Sequence, residues 1–223
     1  MINVEELNNF FVSQPEMVLL EANQEKYTIE GIYNLTSIYD NIYLYDSYSI
    51  RIEIKTSYPK EMPQVFSLDK KIPKGFDHIY PDGSFCLGSP MELHLSALKN
   101  RISDFLTKHI DSYLYSVSYF KKYNGEFPYG DRSHGSIGIF EFWKEYLNLD
   151  DVELIYNILK FVSEDNYRGH NLCPCGSQKK LRNCHGDIIL PIFKNSLTNI
   201  VRYELDLLYN EIRVNNEYKR KEV

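Results

Sequence analysis

No stretch of this 223-residue chain approaches the roughly 18 uninterrupted apolar residues that a membrane-spanning helix needs. The opening segment, MINVEELNNFFVSQ, lacks the basic start and apolar run of a secretory signal and carries acidic residues instead. The expectation is a cytoplasmic protein with no membrane partner. Positive charge is also short. With 25 Lys and Arg against 31 Asp and Glu, the formal charge is -6, which argues against direct nucleic-acid binding through bulk electrostatics. No internal repeat is visible, and there are only four cysteines. Four allow two disulfides, but their spacing and a reducing compartment speak against such a framework.

What is present is an ordinary globular composition, 43% hydrophobic and 25% charged, in a chain long enough for one good core and an appendage. The 19 tyrosines carry no functional weight, since Lys-, Asn-, Ile- and Tyr-rich usage is equally a mark of AT-rich coding. Asn3 with Glu6 reads as a helix start, followed by an apolar stripe at Val4, Leu7, Phe10 and Phe11. From about residue 26 the period changes to two. The segments YTIEGIYNL, NIYLY and YSIRIEIKT read as three antiparallel strands, and QVFSL as a short fourth after the Pro59 and Pro63 break. Leu95, Leu98, Ile102, Phe105 and Leu106 share one face of a helix over about 92–110. Residues 121–138 read as a Gly-containing loop, and IFEFWKEYL and DVELIYNILKFV as two helices, with Asp150 or Asp151 as the cap between them. A last helix is expected over about 192–215. The predicted class is α+β, divided into 1–165, a compact module at 166–187 and a helical tail at 188–223.

Cys173, Cys175, Cys184 and His185 form C-x-C-x8-C-H. Three thiolates and an imidazole complete a tetrahedral Zn²⁺ shell with no position left for water, so the expected ion is structural. Gly176 and Ser177 allow backbone amides to turn toward the sulfurs, and Lys179, Lys180 and Arg182 offset their charge. The stretch CPCGSQKKLRNCHG resembles the SEC-C zinc motif, with Lys180 at the motif's lysine and Gly186 closing it. That resemblance implies a bacterial protein and a small stabilising or protein-binding appendage.

Zinc leaves Cys86 as the one free thiol, in HIYPDGSFCLGSP. The order of helix, antiparallel meander, Tyr58-Pro59 with Pro63, a turn, Gly83, Cys86 and Leu87, then helices, resembles the ubiquitin-conjugating (UBC) fold over about residues 1–150. Met62 stands where that family usually has a proline, and His78 stands eight residues before the cysteine, where it has an asparagine. The resemblance implies a four-strand meander flanked by helices and a thioester carried on Cys86. Its partners would be an activating enzyme, a ubiquitin-like modifier or other protein C-terminus, and an acceptor protein, in a bacterial antiviral defence system. A cysteine of pKa about 8.5 needs only local amides and cations to act as a thiolate nucleophile. His78 is a candidate donor to the developing oxyanion or acceptor of the amine proton, or else a brace for the loop. Asp131 and His134 are candidates for steering the amine, Asp82 reads as a turn former, and His94 and His109 as helix-face residues. Two further readings stay open: a UBC-like binding module without catalysis, and a cysteine hydrolase pairing Cys86 with His78 or His94.

Overall fold

A computed structural model describes residues 4–128 and 135–221 and divides the chain into two compact units, Met1–Gly88 with Ser96–Arg132 and Ser89–Leu95 with Ser133–Val223. The class is α+β, with one four-stranded antiparallel sheet and flanking helices.

In the first unit a 3-10 turn (Val4–Leu7) leads into α1 (Asn8–Ser13), then β1 (Met17–Ala22), β2 (Lys26–Tyr39), β3 (Ile42–Lys55) and β4 (Gln64–Ser67), ordered β1-β2-β3-β4. Alternation builds its core. Tyr27, Ile29, Tyr33 and Leu35 of β2, with Leu44, Tyr48, Ile50, Ile52 and Ile54 of β3, are all buried. The long helix α3 (Ile102–Lys122) buries Phe105, Leu106, Ile110, Tyr113, Leu114 and Val117.

The strand count agrees with the prediction but its parts differ. NIYLY and YSIRIEIKT are one strand, because Asp46 between them sits on the inward face and is satisfied there, accepting from Lys121 Nζ at 2.8 Å and the Ser47 amide at 2.8 Å. The reversal before it is a two-residue turn at Asp40 and Asn41, both with positive φ (46° and 61°), a geometry these side chains tolerate. The remaining strand, β1, has only Met17 buried and a bulge between Leu19 and Glu21. Pairing with β2 makes it a strand, not its own alternation. Gly31 permits that pairing, since a Cβ there would lie 2.1 Å from the Glu16 carbonyl oxygen at a φ of 151°.

The helix expected over 92–110 is two, α2 (Pro90–Lys99) and α3. Asn100 Nδ2 donates to the Ser96 carbonyl at 2.7 Å, satisfying the end of the first, and Arg101 is extended. The start of α2 is a capping box: the Glu92 amide donates to Ser89 Oγ at 3.3 Å and the Ser89 amide to Glu92 Oε2 at 3.4 Å.

The second unit holds α4 (Gly135–Leu147), α5 (Val152–Ser163), α6 (Gly186–Lys194) and α7 (Thr198–Lys221). Asp151 caps α5, its Oδ1 accepting the amides of Glu153 at 2.9 Å and Leu154 at 3.0 Å. The expected last helix is likewise two, broken at Ser196, whose φ is 55°. Met91, Leu95, Trp143, Leu147, Ile158 and Leu181 lie in its single buried cluster, together with Cys173 and Cys175. Residues 166–187 have too little apolar surface for a core of their own, and share one with the helices on either side.

Candidate metal centre and thiol site

The segment that carries Cys173, Cys175, Cys184 and His185 is a short ribbon closed by a helix start. Leu172 and Lys180 form an antiparallel bridge, flanked by Cys173 N–H donating to Lys179 O at 2.8 Å and Leu181 N–H to Asn171 O at 2.8 Å. Gly176, at φ +74°, turns the ribbon after Cys175. The other two ligands follow a 3-10 turn at Leu181–Asn183, and His185 stands at the N-cap of α6. Gly186 is required by contact: a Cβ there would lie 2.6 Å from Leu181 O and 2.9 Å from the Tyr167 hydroxyl.

The four ligand atoms all lie within 4.8 Å of one another. Cys173 Sγ and Cys184 Sγ are each 3.3 Å from His185 Nδ1, and Cys175 Sγ is 3.5 Å from Cys184 Sγ. Zn–S bonds of about 2.3 Å give tetrahedral S···S edges of about 3.8 Å, so the donor set fits an ion of that kind. His185 Nε2 lies 3.2 Å from the Leu147 carbonyl, which can only accept. The proton therefore sits on Nε2, leaving Nδ1 as the ligand nitrogen. Burial pushes the Cys173 thiol up to about 12. At Cys175 burial also pushes upward, but hydrogen bonds from the Ser177 side chain and amide and from the neighbouring thiols bring it down to about 6. Lys179, Lys180 and Arg182 are exposed.

The thiol site lies in the first unit, in a small hairpin after β4. Ile79 and Phe85 pair across it, Tyr80 N–H donates to Ser84 O at 2.8 Å, and Cys86 N–H donates to His78 O at 2.9 Å. His78 and Cys86 thus stand opposite each other. The turn is Tyr80 to Gly83, closed by Gly83 N–H on Tyr80 O at 2.9 Å, with Gly83 at φ +85°. Asp82 forms it as expected: Oδ1 accepts from the Ser84 amide at 2.9 Å and hydroxyl at 2.7 Å, and Oδ2 from Gln64 Nε2 at 3.1 Å.

Alternation decides what the hairpin presents. Phe85 is buried and stacks on Tyr113 at 4.2 Å, so the next residue, Cys86, turns the other way and is half-buried. Its Sγ lies 3.5 Å from the Tyr80 hydroxyl. Tyr113 donates its hydroxyl to His78 O at 3.0 Å; burial, then the negative charge available to Cys86, push this phenol well above its usual range. The His78 ring packs against Phe76 and Phe127, each with centroids 5.4 Å away. Sequence reading missed Tyr80 and Tyr113. The first was discoverable, since it shares its hairpin face with His78 two residues before it; the second arrives from α3.

His94 Nδ1 lies 2.7 Å from Pro90 O, and His109 Nε2 lies 2.8 Å from Ser96 Oγ, and both are buried on helices. Asp131 and His134 lie outside the described residues. No helix among the described residues is long and apolar enough to cross a membrane.

Compared with known proteins, residues 171–187 match the family described as SEC-C motif, a small part of the chain. No curated protein and no solved structure matches.

Proposed function

We propose that this chain is a bacterial ubiquitin-conjugating-like carrier whose Cys86 holds a protein C-terminus as a thioester, with the Cys173–Cys175–Cys184–His185 centre holding a structural zinc ion. The observation that carries the reading is a half-buried thiol at the end of a hairpin following a four-strand antiparallel sheet, with a hydroxyl 3.5 Å from its sulfur. The Cys86 thiolate attacks the activated C-terminal carbonyl of a ubiquitin-like modifier on its activating enzyme. A new C–S bond forms, the C–S bond to the activating enzyme breaks, and that enzyme's sulfur leaves as a thiolate. An acceptor amine then attacks the thioester, an amide forms, and the Cys86 thiol is released. The Tyr80 hydroxyl, 3.5 Å from the sulfur, is placed to donate to charge developing beside it. His78 supports the site through its carbonyl, which accepts from the Cys86 amide and the Tyr113 hydroxyl. Antiviral defence enters through the family resemblance alone.

The test is incubation with the cognate activating enzyme, modifier and ATP. A reductant-sensitive adduct that disappears in Cys86→Ala supports the carrier. No adduct, or one that survives the substitution, refutes it. The packing of the His78 ring against two phenylalanines favours a second reading, a UBC-like binding module in which the histidine only braces the loop. Resistance of native Cys86 to alkylation supports that alternative.

A further inference from the structure

Among the described residues Glu204 is the only Asp, Glu, Lys or Arg that is buried, at 0% exposure. It lies on α7, and its two oxygens are divided between α4 and the first turn of α2, the part of that helix that belongs to the second unit. Oε1 accepts the Met91 amide of α2 at 2.8 Å, and Oε2 accepts the Trp143 indole N–H of α4 at 2.7 Å. Both partners are neutral donors, and no cation among the described residues pairs with it. Met91 offers one of the first amides of α2, which have no partner within the helix. Stability alone does not favour an unpaired buried carboxylate where a neutral group would fit.

Among the described residues Glu92 of α2 is the charged group that acts on it, while the buried faces of α4 and α5 contribute neutral side chains. Burial lifts the Glu204 carboxyl, the Met91 and Trp143 donors pull it back, and Glu92 adds to the lift, leaving it at about 7. Ionised, both oxygens accept. Protonated, the group gains an O–H that neither the Met91 amide nor the Trp143 indole can accept, and the bond to the protonated oxygen loses its charge assistance.

We infer that Glu204 is a positioning residue within the second unit: a proton-sensitive clasp that ties the first turn of α2 and the Trp143 indole of α4 to α7.

The full-length protein carries its own reporter, since Trp143 is the only tryptophan. Wild-type emission should titrate with a midpoint near pH 7, and Glu204→Gln should abolish that transition. A flat wild-type titration overturns the clasp without any variant having to fold, and so does an unchanged transition in Glu204→Gln. Positioning is read from hydrogen exchange of the Met91 amide, compared between variant and wild type. The ratio of rates should be near one around pH 6, where wild type resembles the variant, and should diverge several-fold around pH 8. A ratio independent of pH overturns the positioning role. Exchange needs no activating enzyme, so a missing thioester in the carrier assay counts against the carrier reading alone.

Discussion

Stripping the metal from the Cys173–Cys175–Cys184–His185 centre should unfold the second unit and spare the first. Three of these ligands are themselves buried, and Cys173 and Cys175 belong to the same cluster as Trp143, Leu147 and Leu181. Without an ion, that cluster must enclose three thiols and an imidazole with little but one another as partners. Small structural zinc sites contribute about 10–16 kcal/mol of apparent binding free energy near neutral pH. The net stability of a whole domain is about 5–15 kcal/mol. Even if helix packing retains two-thirds of the effect, a loss of about 3–5 kcal/mol lowers the melting temperature by more than roughly 10 °C for a unit of this size. The assay is a thermal scan with and without chelator. Trp143 emission follows the second unit, and near-ultraviolet circular dichroism from the buried tyrosines Tyr33, Tyr48 and Tyr115 follows the first. Cys175→Ser should reproduce the chelator's effect on Trp143. Purified protein without about one zinc per chain, or a Trp143 transition indifferent to chelation, would refute the reasoning.

Gly186→Ala should cost about 1–3 kcal/mol by overpacking and speed metal loss to a chelator, because the new methyl meets Leu181 O at 2.6 Å. Gly31→Ala should cost about 3 kcal/mol and free the edge strand, read as faster hydrogen exchange over Met17–Ala22, since its Cβ would meet Glu16 O at 2.1 Å. Burial pushes the Asp46 carboxyl upward, but hydrogen bonds from Lys121, the Ser47 amide and Tyr48 outweigh it and hold the group at about 2. A depressed carboxyl contributes stability above its unfolded value, and that contribution is lost as pH falls from about 4 toward 2. Acid melting of the first unit should therefore flatten over that window in Asp46→Asn. Tyr80→Phe should alter the rate of Cys86 alkylation in the native protein while leaving its melting temperature within about 1 °C, because the hydroxyl touches the sulfur from an exposed side chain.

The metal centre was legible because its information is local. Cys173, Cys175, Cys184 and His185 are held by one ribbon and one helix start, and the glycines that shape those turns lie among them. Alternation in β2 and β3, the Asp82 turn and the Asp151 cap were readable for the same reason: each depends on neighbours a few residues away. The rest was decided in three dimensions. Asp46 looks like a strand break until Lys121 arrives from α3 to satisfy it, and Met17–Ala22 becomes a strand only because β2 supplies its hydrogen bonds. Tyr113 comes to the thiol hairpin from a helix later in the chain, and Glu204 meets Met91 across more than half the sequence. Ligand spacing and turn chemistry are properties of consecutive residues, whereas the partner of a buried charge or an edge strand exists only once the chain has folded back on itself.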